Sequence, residues 1–102
     1  MQVRHAMEGV WGSLQRSWRV RVLGAATAVG RELGLRLLEL GHPLSHLSLA
    51  ARKPRTLTWK DRELTVAGFG AADYADWVFL CSAHPAAVAD AEEAVRAGAR
   101  VV

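Results

Sequence analysis

A single cysteine, Cys81, stands in 102 residues. It excludes an internal disulfide and fits a reducing compartment. No apolar run approaches the roughly 18–20 residues of a membrane-spanning helix, so no membrane partner is expected. The first nineteen residues lack the continuous apolar core of about 7–15 residues that a secretory signal requires. Their Arg4, Arg16 and Arg19, with the one acid Glu8, are read as a leader-like extension rather than an organelle presequence. His5, His42 and His46 have no cysteine or further histidine at metal-ligand spacing, which excludes a metal site. There is no internal repeat and no low-complexity tract. A cytoplasmic chain is the expectation.

What is present is a chain 51% apolar and 23% charged, the balance of a soluble globular domain. Its length allows one domain with a modest core and is short for a complete enzyme. Charge is uneven: residues 1–62 carry eleven Lys/Arg against four Asp/Glu, and residues 63–102 carry two against six. Most of the basic residues stand singly between apolar ones, apart from Arg52-Lys53-Pro54-Arg55. A solvated face with one small anion site is therefore expected, not a nucleic-acid surface.

Residues 1–18 show no sustained period and read as an N-terminal extension holding Trp11 and Trp18. Residues 19–23 form a strand. Residues 28–40 form a helix, because Val29, Leu33, Leu37 and Leu40 recur at helical spacing with charges between them. Gly41 and Pro43 stop it. A second strand spans 46–51. The β-prone runs 56–59 and 63–66 flank Lys60-Asp61-Arg62 as a hairpin. After Gly68 and Gly70, a helical turn is expected over 71–74. The nearly continuous apolar run 77–81 reads as a strand buried on both faces. Pro85 opens a helix that ends at Gly98, and 100–102 begin another strand. The sum is α/β: a Rossmann-type parallel sheet, β-α-β-hairpin-β-α-β, over 19–102, incomplete at its C-terminus, with right-handed crossovers. A sheet that breaks off at its last strand points to a piece of a longer parent.

The stretch that carries chemistry is Gly24-Ala25-Ala26-Thr27-Ala28-Val29-Gly30, between the first strand and the first helix. A strand, a small-residue turn and a helix in that order open a dinucleotide-binding unit. Gly24 suits the tight turn and Gly30 close helix–sheet packing, while Thr27 stands where a middle glycine would let backbone approach phosphate. The helix start offers free amides and partial positive charge to a pyrophosphate. Gly24, Ala25, Thr27, Ala28, Val29 and Gly30 are the candidate pyrophosphate residues. Arg52 and Lys53 follow the second strand, where an acid would accept the ribose 2′-hydroxyl of NAD; a basic pair suits the 2′-phosphate of NADP instead. Ser82 and Ala83 end a central strand, where open α/β sheets bind ligands. Cys81, inside an apolar strand with no base nearby, reads as a packing residue. His84, next to Pro85, narrows the cleft and has no partner nucleophile.

At these residues the chain resembles the N-terminal cofactor domain of the aspartate-semialdehyde dehydrogenases. The glycine turn with Arg31-Glu32-Leu33, the hairpin segment from Thr56 to Val66, and Phe79-Leu80-Cys81-Ser82-Ala83 occur in the family's order. The likeness runs from about Arg19 to Val102. It departs from the family in three places: Thr27 for the middle glycine, a basic loop at Arg52 shorter by about two residues, and His84-Pro85 where the family has glycines. The resemblance implies an NADP-dependent reductive dephosphorylation of an acyl phosphate to a semialdehyde, in amino-acid biosynthesis. It also implies a cysteine nucleophile and a histidine acid/base that both lie beyond this chain. This chain therefore has no catalytic residues of its own, and its partners are the cofactor and a missing catalytic domain or a second copy. Two alternatives stand: a non-catalytic remnant of the same fold serving as an interaction module, and an N-acetyl-glutamyl-phosphate reductase-like fragment, which Gly41-His42-Pro43 and Phe79-Leu80 faintly suggest.

Overall fold

Successive side chains of a strand point to opposite faces, so a strand apolar on both sides needs cover on both. In the computed structural model, which describes residues 18–70 and 75–102, Val20–Leu23 forms such a strand, β1, with all four residues buried. The other strands are β2 (Leu47–Ala51), β3 (Arg55–Trp59), β4 (Arg62–Gly68), β5 (Trp77–Leu80) and β6 (Arg100–Val101). Two helices accompany them, α1 (Ala28–Glu39) and α2 (Pro85–Arg96). The six strands make one sheet in the order β3-β4-β2-β1-β5-β6. Every pairing is parallel except β3 with β4. The architecture is α/β with a mostly parallel sheet. The expected extension at 1–18, Trp18 apart, and the helical turn at 71–74 lie outside the described residues.

Each face of β1 has its own cover. Val20 and Val22, with Leu49, Val66 and Phe79 from neighbouring strands, pack against Leu33, Leu37 and Leu38 of α1. Leu23, Ala50 and Val78 pack against Ala87 and Ala91 of α2. Burying a leucine such as Leu37 contributes about 2 kcal/mol. Gly34 lets α1 sit close, for a Cβ there would lie 3.0 Å from Leu49 Cδ2.

The helices stop where the glycines stand. Gly41 (φ 90) and Gly98 (φ 100) adopt the left-handed conformation. Around the first, Gly41 N–H donates to Leu38 O and His42 N–H to Leu37 O; around the second, Gly98 N–H donates to Val95 O and Ala99 N–H to Ala94 O. Both are Schellman motifs, which satisfy carbonyls the helix end would leave open. The expected hairpin is tighter than its sequence suggests. Trp59 pairs with Arg62, so the turn is only Lys60 (φ 46) and Asp61 (φ 60), and Arg62 already belongs to β4. Two positive φ values match the twist of a type I′ turn, and Lys60 Nζ stands 5.0 Å from the Trp59 ring centre. Among the described residues no helix is long and apolar enough to cross a membrane.

The first Schellman motif carries a titratable group inward. His42 is 3% exposed, and its Nε2 donates to the His46 carbonyl at 3.3 Å. Burial holds its pKa below the ordinary value of 6.5, with the neighbouring His46 adding to the lowering and backbone hydrogen bonds at His46 and Trp18 opposing it. The unfolded chain therefore takes up this proton before the folded one does. Stability from this group is complete above the unfolded value of about 6.5 and declines as pH falls below it, by up to about 1.4 kcal/mol per pH unit, until the lowered folded pKa is passed. Urea unfolding between pH 8 and pH 5 is expected to show that decline in wild type and a smaller one in His42→Leu.

Candidate functional site

The sheet changes direction at β1. From it the chain runs first to β2 and β4 on one side, then crosses back to β5 and β6 on the other. The segments after the carboxyl ends of β2, β1 and β5 therefore emerge side by side, because Leu23 is in register with both Ala50 and Leu80. All the candidate ligand residues fall in these three segments.

The turn after β1 is held by its own backbone. Gly24 and Ala25 N–H both donate to Ala50 O, at 2.8 and 2.9 Å, and Cys81 N–H donates to Leu23 O at 2.7 Å. Gly24 has φ 101, and a Cβ on it would stand 2.8 Å from the Cys81 carbonyl and 2.9 Å from Ser82 Cβ. Glycine is required there twice over, by conformation and by space. At Gly30 a Cβ would come within 2.1 Å of Gly24 O. The two glycines thus press the start of α1 against the end of β1.

Thr27 is the N-cap of α1. Its Oγ1 accepts from Gly30 N–H at 3.0 Å and has the carbonyls of Gly24 and Cys81 at 2.7 and 3.2 Å. The hydroxyl has one proton, and Gly24 O is the nearer acceptor. The side chain standing in the middle-glycine position thus ties the turn to the first turn of the helix. Ala25 is fully buried with its amide committed to Ala50, and Gly30's amide is committed to Thr27. Ala28 and Val29 have no preceding helical carbonyl for their amides. They carry the donor capacity of the turn, beside the exposed Ala26 and Ala28 side chains. Loss of the cap in Thr27→Ala is expected to cost about 1 kcal/mol in urea unfolding, with Thr27→Ser near wild type and Thr27→Gly a few tenths lower.

Arg52 and Lys53 are exposed directly after β2. Ser82 and Ala83 follow β5, and Ser82 Oγ accepts from His84 N–H at 3.2 Å. His84 is the N-cap of α2: its Nδ1 accepts from Ala86 N–H at 3.1 Å, and its ring lies against Phe69 with centroids 6.1 Å apart. Sequence reasoning placed His84 at the cleft and missed that it caps a helix, although His-Pro before a helical run is a legible N-terminus. Cys81 is half-buried, and burial pushes its thiol pKa up, the reverse of an activated nucleophile. Among the described residues no group of three or more His, Cys, Asp or Glu side chains is arranged to hold a metal ion.

No protein-family model matches the chain, and no curated protein does.

One buried network beneath the site has no counterpart in the sequence reading. Arg21, in the middle of the sheet, gives Nε and Nη2 to Asp90 Oδ1 and Oδ2 of α2 at 3.3 and 2.7 Å. Its Nη1 donates to Ser48 Oγ of β2 at 2.9 Å. Asp90 Oδ2 also accepts from Gly70 N–H at 2.8 Å, which fixes the start of the β4–β5 connection. The one signal was an arginine inside an otherwise apolar strand, which needs a buried acid.

Proposed function

We propose that this chain is the cofactor-binding part of an aspartate-semialdehyde dehydrogenase-like oxidoreductase, a Rossmann-type half-fold that takes NADP in preference to NAD. The observation that carries the reading is position. The 24–30 turn stands at the carboxyl end of the central strand where the strand order reverses, the crevice in which open α/β sheets take ligands. The parallel strands in the order β4-β2-β1-β5-β6, with helices on the two faces of β1, support the fold assignment.

In this reading the pyrophosphate meets the Ala28 and Val29 amides and the positive end of α1. Gly24, Ala25, Thr27 and Gly30 shape and hold the turn. Arg52 and Lys53 bind the 2′-phosphate, and Ser82 and Ala83 border the nicotinamide. When bound, the reduced cofactor supplies hydride to the substrate carbonyl. The chain itself orients the cofactor and performs no covalent step, since Cys81 is no activated thiol and His84 is engaged as a cap.

A second reading draws on the same turn. Thr27 takes the Gly30 amide internally, as a remnant kept for structure would do. Titration of the purified protein with NADP and NAD separates the two. The cofactor reading expects NADP to bind more tightly than NAD. It also expects Arg52→Glu with Lys53→Glu to weaken NADP at least about tenfold while leaving NAD little changed. Absence of binding in wild type at millimolar cofactor, with binding regained in Thr27→Gly, favours the remnant; absence in both removes the cofactor assignment.

A further inference from the structure

We infer that β3 is a self-recognition edge: two copies of this chain join by antiparallel β3–β3 pairing about a two-fold axis at Leu57. The inference concerns the whole chain and stands whether or not a dinucleotide binds. Among the described residues, β3 ends the sheet and pairs with β4 alone. The tight turn between them decides which backbone groups face outward. Trp59 and Arg62 flank that turn and are the hydrogen-bonded pair that closes it. Bonded and non-bonded pairs alternate from there, so Leu57 with Leu64 and Arg55 with Val66 are bonded across to β4. The N–H and C=O groups of Thr56 and Thr58 therefore point away from the sheet. Both ends of this free edge are stopped: Pro54, the next outward position, has no N–H, and Lys60 (φ 46) has left the strand for the turn.

An edge with two donors and two acceptors per copy has one antiparallel two-fold register in which every outward group is paired. With Leu57 opposite Leu57 of the second copy, Thr56 of each faces Thr58 of the other, and both N–H···O=C bonds form at each Thr pair. Centring the contact on Thr56 turns the Thr58 carbonyl toward the Pro54 ring. Centring it on Thr58 turns Thr56 toward the Lys60 turn.

The side chains suit the same register. Leu57 and Trp59 lie on the face that packs against the α1 cluster, while Thr56 and Thr58 are exposed on the other. Across the axis Leu57 meets Leu57, and Arg55 faces Trp59 of the other copy, a cation against an indole that already takes its own Lys60 at 5.0 Å. Within the paired strands no like charges stand opposite each other. Continued past the strand ends, the register sets Lys53 against Asp61. The pairing uses the same patch on both copies, so it closes at two and does not propagate. The contact is small, and a dissociation constant on the order of 0.1 mM is expected.

The test is sedimentation equilibrium of the full chain without cofactor, in reducing buffer, from about 20 μM to about 1 mM. Wild type is expected to pass from monomer to dimer across this range. In Thr58→Pro the lost N–H is an outward one, so the ladder to β4 stays. The dimer is expected to weaken at least about tenfold, with circular dichroism and thermal unfolding close to wild type. Two further variants do not depend on that proline. Thr56→Glu with Thr58→Lys sets opposite charges across the axis and tightens the dimer about fivefold, whereas Thr56→Lys with Thr58→Lys sets like charges there and weakens it by as much. In a Cys81→Ser background, Leu57→Cys is expected to crosslink to itself in a thiol–disulfide buffer, the Cα atoms standing about 4.5 Å apart. Thr56→Cys and Thr58→Cys are expected to crosslink only when mixed. Wild type monomeric at about 1 mM overturns the proposal in favour of a strand from another protein or a solvated edge. A dimer that Thr58→Pro leaves intact, or that both charge variants shift alike, also overturns it and moves the contact elsewhere, to the exposed Val95 and Val101 first.

Discussion

Asp90→Ala is expected to lose about 3–5 kcal/mol of folding stability, because it leaves the Arg21 guanidinium charged and buried without its counter-ion. The two side chains are 1% and 7% exposed, so water cannot take over. A domain of this size holds about 5–15 kcal/mol in total, which brings the variant close to the unfolding threshold. The loss is not confined to one contact. Asp90 also holds the Gly70 amide, and Arg21 also holds Ser48, so α2, β1, β2 and the β4–β5 connection share the damage. The combined replacement Arg21→Met with Asp90→Leu removes both charges and fills much of the space. It is expected to recover most of the loss, because desolvating an ion pair consumes much of what its attraction returns. Urea unfolding of the two single variants and the pair checks this as a double-mutant cycle. A single-variant loss below about 1 kcal/mol, or a pair no better than the singles, would contradict a buried, mutually dependent ion pair.

The second large effect is expected at Gly30. Alanine is the better helix former by about 1 kcal/mol, yet here its methyl would sit 2.1 Å from the Gly24 carbonyl oxygen. That atom belongs to a turn fixed by Ala50 and Thr27 and cannot swing away. Overpacking of this kind costs about 1–3 kcal/mol or more, so Gly30→Ala is expected to be net destabilising by about 2 kcal/mol and to disturb the turn. Gly34→Ala, four residues along the same helix face, is the control. Its methyl would meet only the end of the Leu49 side chain at 3.0 Å, which can rotate, and a change within about 1 kcal/mol is expected. Thermal unfolding of both variants tells backbone contact from ordinary packing.

The parts of the fold that local chemistry specifies were legible in the residues. Leucines at helical spacing gave α1, Gly41 and Gly98 gave the helix ends, and the run from Trp77 gave β5. Boundaries moved where hydrogen bonding rather than side-chain character decides. β4 starts at Arg62 because a two-residue turn fits the strand twist, and β5 stops at Leu80 although Cys81 is apolar. The Arg21–Asp90 pair was not legible, since 69 residues separate its members and only the sheet order brings them together. At the candidate site, the sequence placed Gly24, Gly30 and Thr27 on a strand-to-helix turn. It could not reveal that the Thr27 hydroxyl joins Gly24 O to the Gly30 amide, because that depends on the path the backbone takes through the turn. Capping explains why a side chain stands in that position and keeps the turn in shape.

The proposed pyrophosphate site is the Gly24–Gly30 turn, at the reversal point of the sheet. Two-dimensional amide spectra recorded during addition of NADP report on each of its residues. Saturable shifts are expected, concentrated at Gly24, Ala28 and Val29, with a second group at Arg52 and Lys53 and a weaker one at Ser82. Shifts clustered on another face of the domain, or none at millimolar cofactor while the protein stays folded, would contradict it.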